Sequence, residues 1–516
     1  MLKLDIRYLM NSTTIAIVGG GANGVATFVH LVLKLIVSPV KCEHVKIVLI
    51  EKDREFGPGL AYGTKEEGHL LNTSAGLMGI FAEEPLHFVE WLYKNRETVQ
   101  QEYAGIEIDA NSYVPRHLYG RYLKATLSEY KDVAQRHNLR VSWLHDEVTD
   151  AEITDKRVVL ALRSGAEVKA DFAVLATGTP EPNNFPHLKE SPQYVDFPWP
   201  SDRLLRKIPR DAAVSMLGTS LTAIDTIVTL TDNGHRGKLT LYSRNGLLPR
   251  VQTPFDVPFE REVLTLAQIR KMIREKKRTL RAKDLFRLFR AEAERVMGIQ
   301  DSWKQFSRVE RPHLELLKQD LELALKGESV FQNIAFSTRY LSFEAWKLLP
   351  EDQKVLFMKW FGAHWDINRH SMPPQNARKL LRLLESGQLT IKPHSSKVEW
   401  KPEEKKFYMY LEDGSTDQAT YLVNATGTAK KIERMEIPLL QALLHKKQLL
   451  PYKAGGIKAN PDTLQIIVPG KPQARLYGVG QLLNGELLDT NSVWFNVACV
   501  DRMTNDILHR LANGCI

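Results

Sequence analysis

The stretch TTIAIVGGGANGVATFVHLVLKLI, residues 13–36, is the strongest local signal in the chain. Ile15–Val18 is a short, mostly β-branched run and reads as a buried parallel strand. Gly19, Gly21 and Gly24 follow as G-x-G-x-x-G and open an apolar helix. In that setting Gly19 allows the tight turn, Gly21 lets a pyrophosphate approach the backbone, and Gly24 lets helix and strand pack closely. The next strand, VKIVLIEKD, ends at Glu51, whose carboxylate suits ribose hydroxyls. Glu51 lies somewhat beyond the usual spacing of about 20 residues. The long helix and the polar connection SPVKCEH account for the excess.

A second stretch, VSMLGTSLTAIDT (214–226), has three readings: another nucleotide turn, a hydrolase nucleophile, or a plain strand meeting a helix. The hydrolase elbow G-x-S-x-G needs a glycine where Thr222 stands. The nucleotide turn needs small residues and finds Gly218, Ser220 and Ala223. About 20 residues on, the strand of KLTLYSRNGLLPR ends in Ser243 and Arg244, with Arg250 close behind. A hydroxyl and a guanidinium suit a 2′-phosphate, which reads as NADPH rather than NADH. The alternative is a solvated strand-end charge at Arg244.

Between these turns, FGPGLAYGT and HLLNTSAGLMG hold Gly57, Gly59, Gly63, Ser74, Ala75 and Gly76. So many small residues would let the backbone pass close to something flat and large. Two strands end in Ala-Thr-Gly: FAVLATGTP (172–180), with Thr177 and Gly178, and TYLVNATGTA (420–429). Small residues there let the chain turn beneath a cofactor at a sheet's carboxyl edge. The two copies suggest that the chain leaves the first sheet near 180 and re-enters it near 420. The charged segments before each copy read as hairpins with glycine turns.

Residues 256–372 change character, with apolar residues at helical spacing in at least four segments. They read as helices packed over the second nucleotide domain. Trp303, Trp346, Trp360 and Trp365 read as core rather than as a substrate cage. Arg369, between Asn368 and His370, suits either a substrate carboxylate or an interdomain ion pair. The fold class expected is α/β, with two Rossmann-like dinucleotide-binding domains and a helical insertion. Its parts are 1–200 (first domain), 201–255 (second domain), 256–372 (insertion) and 373–516 (return to the first).

Composition agrees with an ordinary globular protein: 516 residues, 43% hydrophobic and 25% charged. The net charge of +9 is spread along the chain. Its one basic run, Arg270–Lys283, has the spacing of a solvated helix face, which argues against nucleic-acid binding. Cys42, Cys499 and Cys515 give neither metal-ligand spacing nor a disulfide framework, so a reducing cytoplasm fits. The apolar run Phe28–Val40 contains Lys34 and Pro39 and is too short to span a bilayer. The first dozen residues read as a lead-in without a signal-peptide pattern. Nothing in the sequence speaks to oligomeric state.

The set VGGGANG, FGPGLAYGT, HLLNTSAGLMG, VPRHLYGRYL, LATGTP, GTSLTAID, SRNGLLPR and GVGQLLNGELLDT resembles a flavoprotein family. It is the FAD/NAD(P)-binding family that includes a bacterial aspartate N-monooxygenase and an FAD-dependent urate hydroxylase. The resemblance implies FAD at the first turn, on Gly19, Gly21, Gly24 and Glu51, and hydride from NADPH at the second. It implies Leu71, Asn72 and Thr73 near the flavin ring, and Arg116 near the ribityl chain or pyrophosphate. It places Val148 at the adenine, and Gly480, Gln481 and Asp489 at the last FAD contact, with a following helix N-terminus near the flavin. For Arg116 an ordinary salt bridge is the alternative. The implied chemistry has NADPH reducing FAD and O₂ adding to give a flavin C4a-hydroperoxide. The distal oxygen then passes to a small nitrogen-containing substrate, an amine or amino acid. No residue stands out as acid or base, which suits an enzyme whose cofactor carries the chemistry. An FAD-dependent reductase that does not use O₂ and a non-catalytic flavoprotein module remain open.

Overall fold

A computed structural model describes residues 12–298, 308 and 311–513. Trp303, Cys515 and nearly all of the N-terminal lead-in lie outside those residues.

The apolar run before the first glycine turn becomes β1 (Thr13–Val18), buried along its length but for Thr14. The helix α1 (Ala22–Val37) follows, and then β2 (Val45–Glu51). Helix α2 (Arg116–Arg136) leads into β3 (Arg140–His145). The strands β4 (Val148–Ile153), β5 (Val158–Leu162) and β6 (Glu167–Ala170) form a separate antiparallel sheet ahead of β7 (Phe172–Leu175).

The second lobe begins at β8 (Tyr194–Val195) and continues with β9 (Val214–Leu217), α3 (Leu221–Asp232) and β10 (Leu239–Tyr242). It resumes beyond the inserted helices with β11 (Leu389–Lys392) and a second antiparallel sheet of β12 (Ser395–Lys401), β13 (Lys406–Leu411) and β14 (Thr416–Ala419). Strand β15 (Tyr421–Asn424) closes it. The chain then rejoins the first lobe, adding β16 (Leu476–Gly478) and the helix α4 (Val493–Ala512).

Two five-stranded parallel sheets result, ordered β16-β7-β1-β2-β3 and β11-β10-β9-β15-β8. Each reverses its strand order beside the strand that feeds its glycine turn, between β1 and β7 and between β9 and β15. That reversal is where open α/β sheets make their ligand crevice. Each has its own core, one around Ile15, Ile17 and Val174 and the other around Met216, Leu241 and Val423.

The expected boundary at 373 is corrected. Strand β11 pairs with β10, and β15 pairs with β9 and β8, so the second lobe runs to about residue 424. Parallel strands need crossovers, and the inserted helices are one long crossover between β10 and β11. The second Ala-Thr-Gly therefore closes the second sheet, and just beyond it Ala429 and Ile432 join the core of the first lobe, in agreement with a re-entry near 420.

The insertion is also placed differently. It has a core of its own around Ile269, Ile334 and Trp346. His313–Lys326 lies on the second lobe, where Leu317 and Ala324 join that core, and Ile367, Asn368 and Met372 bond to its Arg250 segment. The rest reaches the first lobe: Trp346 Nε1 donates to the Gly485 carbonyl at 3.0 Å, Lys354 pairs with Glu486 at 3.3 Å, and Ser342 Oγ donates to Asp489 at 2.8 Å. Trp346 is buried, Trp365 partly so, and Trp360 is half exposed. No described helix is long and apolar enough to cross a membrane.

Candidate active site

The two glycine turns are built alike. Gly19 has φ +108° and Gly218 has φ +116°, values that L side chains rarely adopt. A Cβ on Gly19 would run into the carbonyl of Ala176, and one on Gly218 into that of Ala425. Each turn thus closes against the Ala-Thr-Gly that ends the neighbouring strand. Gly24 packs as expected, leaving no room for a Cβ above the Gly19 carbonyl.

Helix α1 starts at Gly21 with no side-chain cap and no acid in its first turn. Its first-turn amides are left to a ligand, at the positive end of the helix dipole. Glu51 ends β2 only 8% exposed and accepts from the amides of Gly20 (2.6 Å) and Asp53 (3.0 Å). A cavity of about 280 Å³ is lined by Gly19, Gly21, Glu51, Val148, Thr177 and Gly178, gathered as expected. Uncapped helix amides beside a buried strand-end carboxylate fit the adenosine diphosphate half of a dinucleotide.

At the second turn Ser220 precedes α3, again with no side-chain cap and no acid in the first turn. The Ser243 hydroxyl accepts the Gly246 amide at 2.9 Å and so shapes the loop after β10. Arg244 is exposed beside it, with no side-chain partner among the described residues. Arg250 is corrected. It is buried, with Nη1 3.1 Å from Asp320 and Nε donating to Asn368 at 2.7 Å, so it anchors the insertion.

Between the lobes lies a larger cavity of about 450 Å³. Gly59, Thr64, His69 and Arg116 face it from the first lobe, and Leu221, Thr222 and Asp225 from the second. Asp53, Gly59, Leu60, Thr179 and Pro200 line both cavities, so the two form one cleft. Arg116 belongs to neither of its expected settings alone. Its Nη2 pairs with Asp225 of α3 at 2.8 Å and its Nε donates to the Leu70 carbonyl at 3.1 Å, so it is an interdomain pair that lines the cleft. His69 bridges the lobes too, between Thr64 (2.8 Å) and Thr229 (2.8 Å). Burial pushes its imidazole below the ordinary histidine range, against the pull of Asp225. His69 and Asp225 were not singled out from the sequence. Both stand inside quoted motifs, at positions that acquire meaning only when residues more than 150 apart meet.

The remaining expected contacts divide. Gly480 lies against Asn23 of α1, and Gln481 accepts from Thr428 Oγ1 at 2.6 Å. Leu71 is buried, its amide bonded to Val114. Asn72 and Thr73 line a separate small pocket with Gln252, Arg339 and Arg369. Asp489 lines neither cavity; its carboxylate is fully buried against Ser342 and Arg369. The last helix begins only at Val493, and Ser492 before it lines that same small pocket. In the FGPGLAYGT and HLLNTSAGLMG segments, Gly59 and Gly63 face the cleft, whereas Gly76 packs on Ala110.

Residues 16–180 match the model of an FAD-NAD(P)-binding family. No curated protein matches the sequence. Among solved structures, L-lysine 6-monooxygenase from Pseudomonas syringae shares the fold with a TM-score of 0.60 at 13% identity, over 97% of this chain and 99% of that one. An ornithine N-hydroxylase from Kutzneria sp. 744, solved with reduced FAD, NADP+ and L-ornithine, gives 0.59 at 13% identity over 97% and 99%. The reduced ornithine hydroxylase from Pseudomonas aeruginosa gives 0.57 at 13% over 97% and 100%. Residues 16–180 thus match an FAD-NAD(P)-binding family model, and the chain as a whole shares the two-lobed fold of these solved structures.

Proposed function

We propose that this chain is an FAD-dependent, NADPH-using oxidoreductase, a flavin monooxygenase that hydroxylates a small amine or amino acid. One observation carries the reading. Two glycine turns stand at the switch points of two sheets beside one continuous cleft, with an acid behind the first and a free arginine behind the second. Gly19, Gly21, Glu51, Val148, Thr177 and Gly178 would hold FAD, and Gly218, Ser220, Ser243 and Arg244 would hold NADPH. The shared fold with ornithine and lysine hydroxylases supports the substrate class.

When bound, the flavin supplies the redox chemistry, accepting hydride and activating dioxygen. The chain supplies position. The α1 N-terminus would neutralise the FAD pyrophosphate, and Glu51 would hold its ribose. The Arg116–Asp225 and His69–Thr229 contacts hold the two nucleotide sites at a set separation, which hydride transfer needs. Phe197 and Trp199 wall the cleft with apolar surface and help exclude water.

The test is spectroscopic. The purified protein should be yellow, and NADPH should bleach it without oxygen. Readmitted oxygen should then be consumed faster with one member of an amine and amino-acid panel, giving a hydroxylated product. Failure to bleach refutes the reading. Bleaching followed only by peroxide, whatever the amine, would assign a reductase.

A further inference from the structure

We propose that the basic face of the inserted helices docks the protein on an anionic phospholipid surface. The proposal is independent of the monooxygenase reading. Charges of both signs are spread along the chain, but their imbalance is not. Residues 266–290 hold ten Lys and Arg against only Glu275 and Asp284, so this one stretch carries +8 of the net +9. None of the ten lines the cleft, so bound nucleotides do not account for them.

The fold sorts this charge onto one side of each helix. The helices Leu266–Lys276 and Ala282–Met297 turn their apolar sides onto a shared core, where Ile269, Leu288 and Phe289 are buried. Their other sides are basic and exposed. Arg270 and Arg274 stand one turn apart on the first helix, and Lys283, Arg287 and Arg290 follow at the same spacing on the second. Lys277 and Arg281 are exposed in the connection between them. Some of the charge is matched locally. Lys271 lies 3.9 Å from Glu275, Lys276 and Arg278 share Asp284, and Arg290 pairs with Glu294 at 2.7 Å. Arg270, Arg274, Lys277, Arg281, Lys283 and Arg287 have no carboxylate partner among the described residues. Like charges one turn apart destabilise a helix, and an external anion relieves that cost.

Two features select a bilayer as the anion. The first is extent. The helices are about 16 Å and about 24 Å long, so the six unmatched cations are too widely spread for one phosphate. They suit a plane of anionic head groups, where each basic side chain adds about fivefold in affinity. The second is an aromatic at the edge of the face. Phe286 lies on the second helix with Lys283 one turn before it and Arg290 one turn after, and its ring stacks on Phe361 at 4.3 Å. Trp360, its ring 6.4 Å from that of Phe361, is half exposed, and Lys359 beside it is exposed. A tryptophan among cations is the pairing that settles at head-group level, with the ring in the apolar boundary and the charges on the phosphates.

The experiment is cosedimentation of the full chain with vesicles. Phosphatidylcholine vesicles containing about a third phosphatidylglycerol should bind it at least about tenfold more tightly than phosphatidylcholine alone, and should release it as sodium chloride rises from about 0.1 M to about 0.5 M. Arg270→Glu, Arg274→Glu, Lys283→Glu and Arg287→Glu together should weaken binding by about a hundredfold or more, with the melting midpoint unchanged. Lys283→Glu with Arg287→Glu is the milder probe should the quadruple variant fold poorly. Tryptophan emission should shift to the blue on the charged vesicles, and the shift should shrink in Trp360→Ala. Equal binding to both vesicles, no binding to either, or binding that the glutamates leave intact would overturn the proposal. Tighter binding to a short duplex DNA than to the charged vesicles would also overturn it and assign the face to nucleic acid.

Discussion

Gly218→Ala separates the two nucleotide sites. Gly218 sits at φ +116°, and an added Cβ would come within 2.8 Å of the Ala425 carbonyl carbon and 3.2 Å of Thr426 Cα. Both are backbone atoms of the turn that follows β15, so no side chain can swing aside. The φ alone costs roughly 1–3 kcal/mol for a residue with a side chain. Opening the turn against β15 adds about as much. Partial relaxation leaves about 2–4 kcal/mol, which weakens NADPH by about 30- to 700-fold if the strain falls on the bound conformation. Gly19 makes the same close approach to Ala176, and Gly19→Ala should instead strip FAD. The assay pairs flavin absorbance per mole of protein with the rate of anaerobic bleaching against NADPH concentration. Gly218→Ala should stay yellow and bleach only at high NADPH. Bleaching with wild-type concentration dependence would refute the argument that the second turn is a phosphate-binding turn.

Arg244→Ser should weaken NADPH by about 10- to 150-fold, the worth of a hydrogen bond to a charged group, and leave NADH nearly unchanged; equal losses would remove the 2′-phosphate assignment. Glu51→Gln places an amide against the Gly20 and Asp53 N–H groups and should raise the FAD dissociation constant by about tenfold or more, read as flavin lost on dilution and filtration. Burial lowers the imidazoles of His69, His87, His117, His235, His313, His364 and His370. The unfolded chain then takes up protons first as the pH falls, so their contribution is whole above about pH 6.5 and is lost below it. The melting midpoint should drop between about pH 7.5 and 5.5, and a flat profile would contradict neutral burial.

What could be read from the sequence was local chemistry in a known register. Gly19, Gly21, Gly24 and Glu51 lie within one β-α-β unit, where spacing along the chain fixes spacing in space; the structure brings Gly19, Gly21 and Glu51 to one cavity and packs Gly24 on the Gly19 carbonyl. The strand-to-helix turn at Gly218 was legible for the same reason. The boundary at 373 was not, because β11 and β15 are short apolar runs that could join either sheet, and only pairing decides between them. Arg250 and Arg244 look alike in SRNGLLPR, yet one is buried on Asp320 and the other faces solvent. The difference lies in a helix some 70 positions away along the chain. Asp489 sits in a segment typical of cofactor contacts, but the insertion supplies Ser342 and Arg369 to occupy it. Long-range partners of this kind leave no periodic trace.

The pairing of β8 with β15 sets Tyr194 beside Leu422 and Val195 beside Val423, so the second lobe enters and leaves through adjacent strands. Seen from the first lobe, more than two hundred residues are a single loop whose ends lie one strand spacing apart, about 4.8 Å. The second lobe with its inserted helices is therefore a cassette. A short linker across that gap would leave every strand of the first sheet, and both faces of its glycine turn, in place. Such a miniature should still take up FAD and turn yellow, yet be deaf to NADPH.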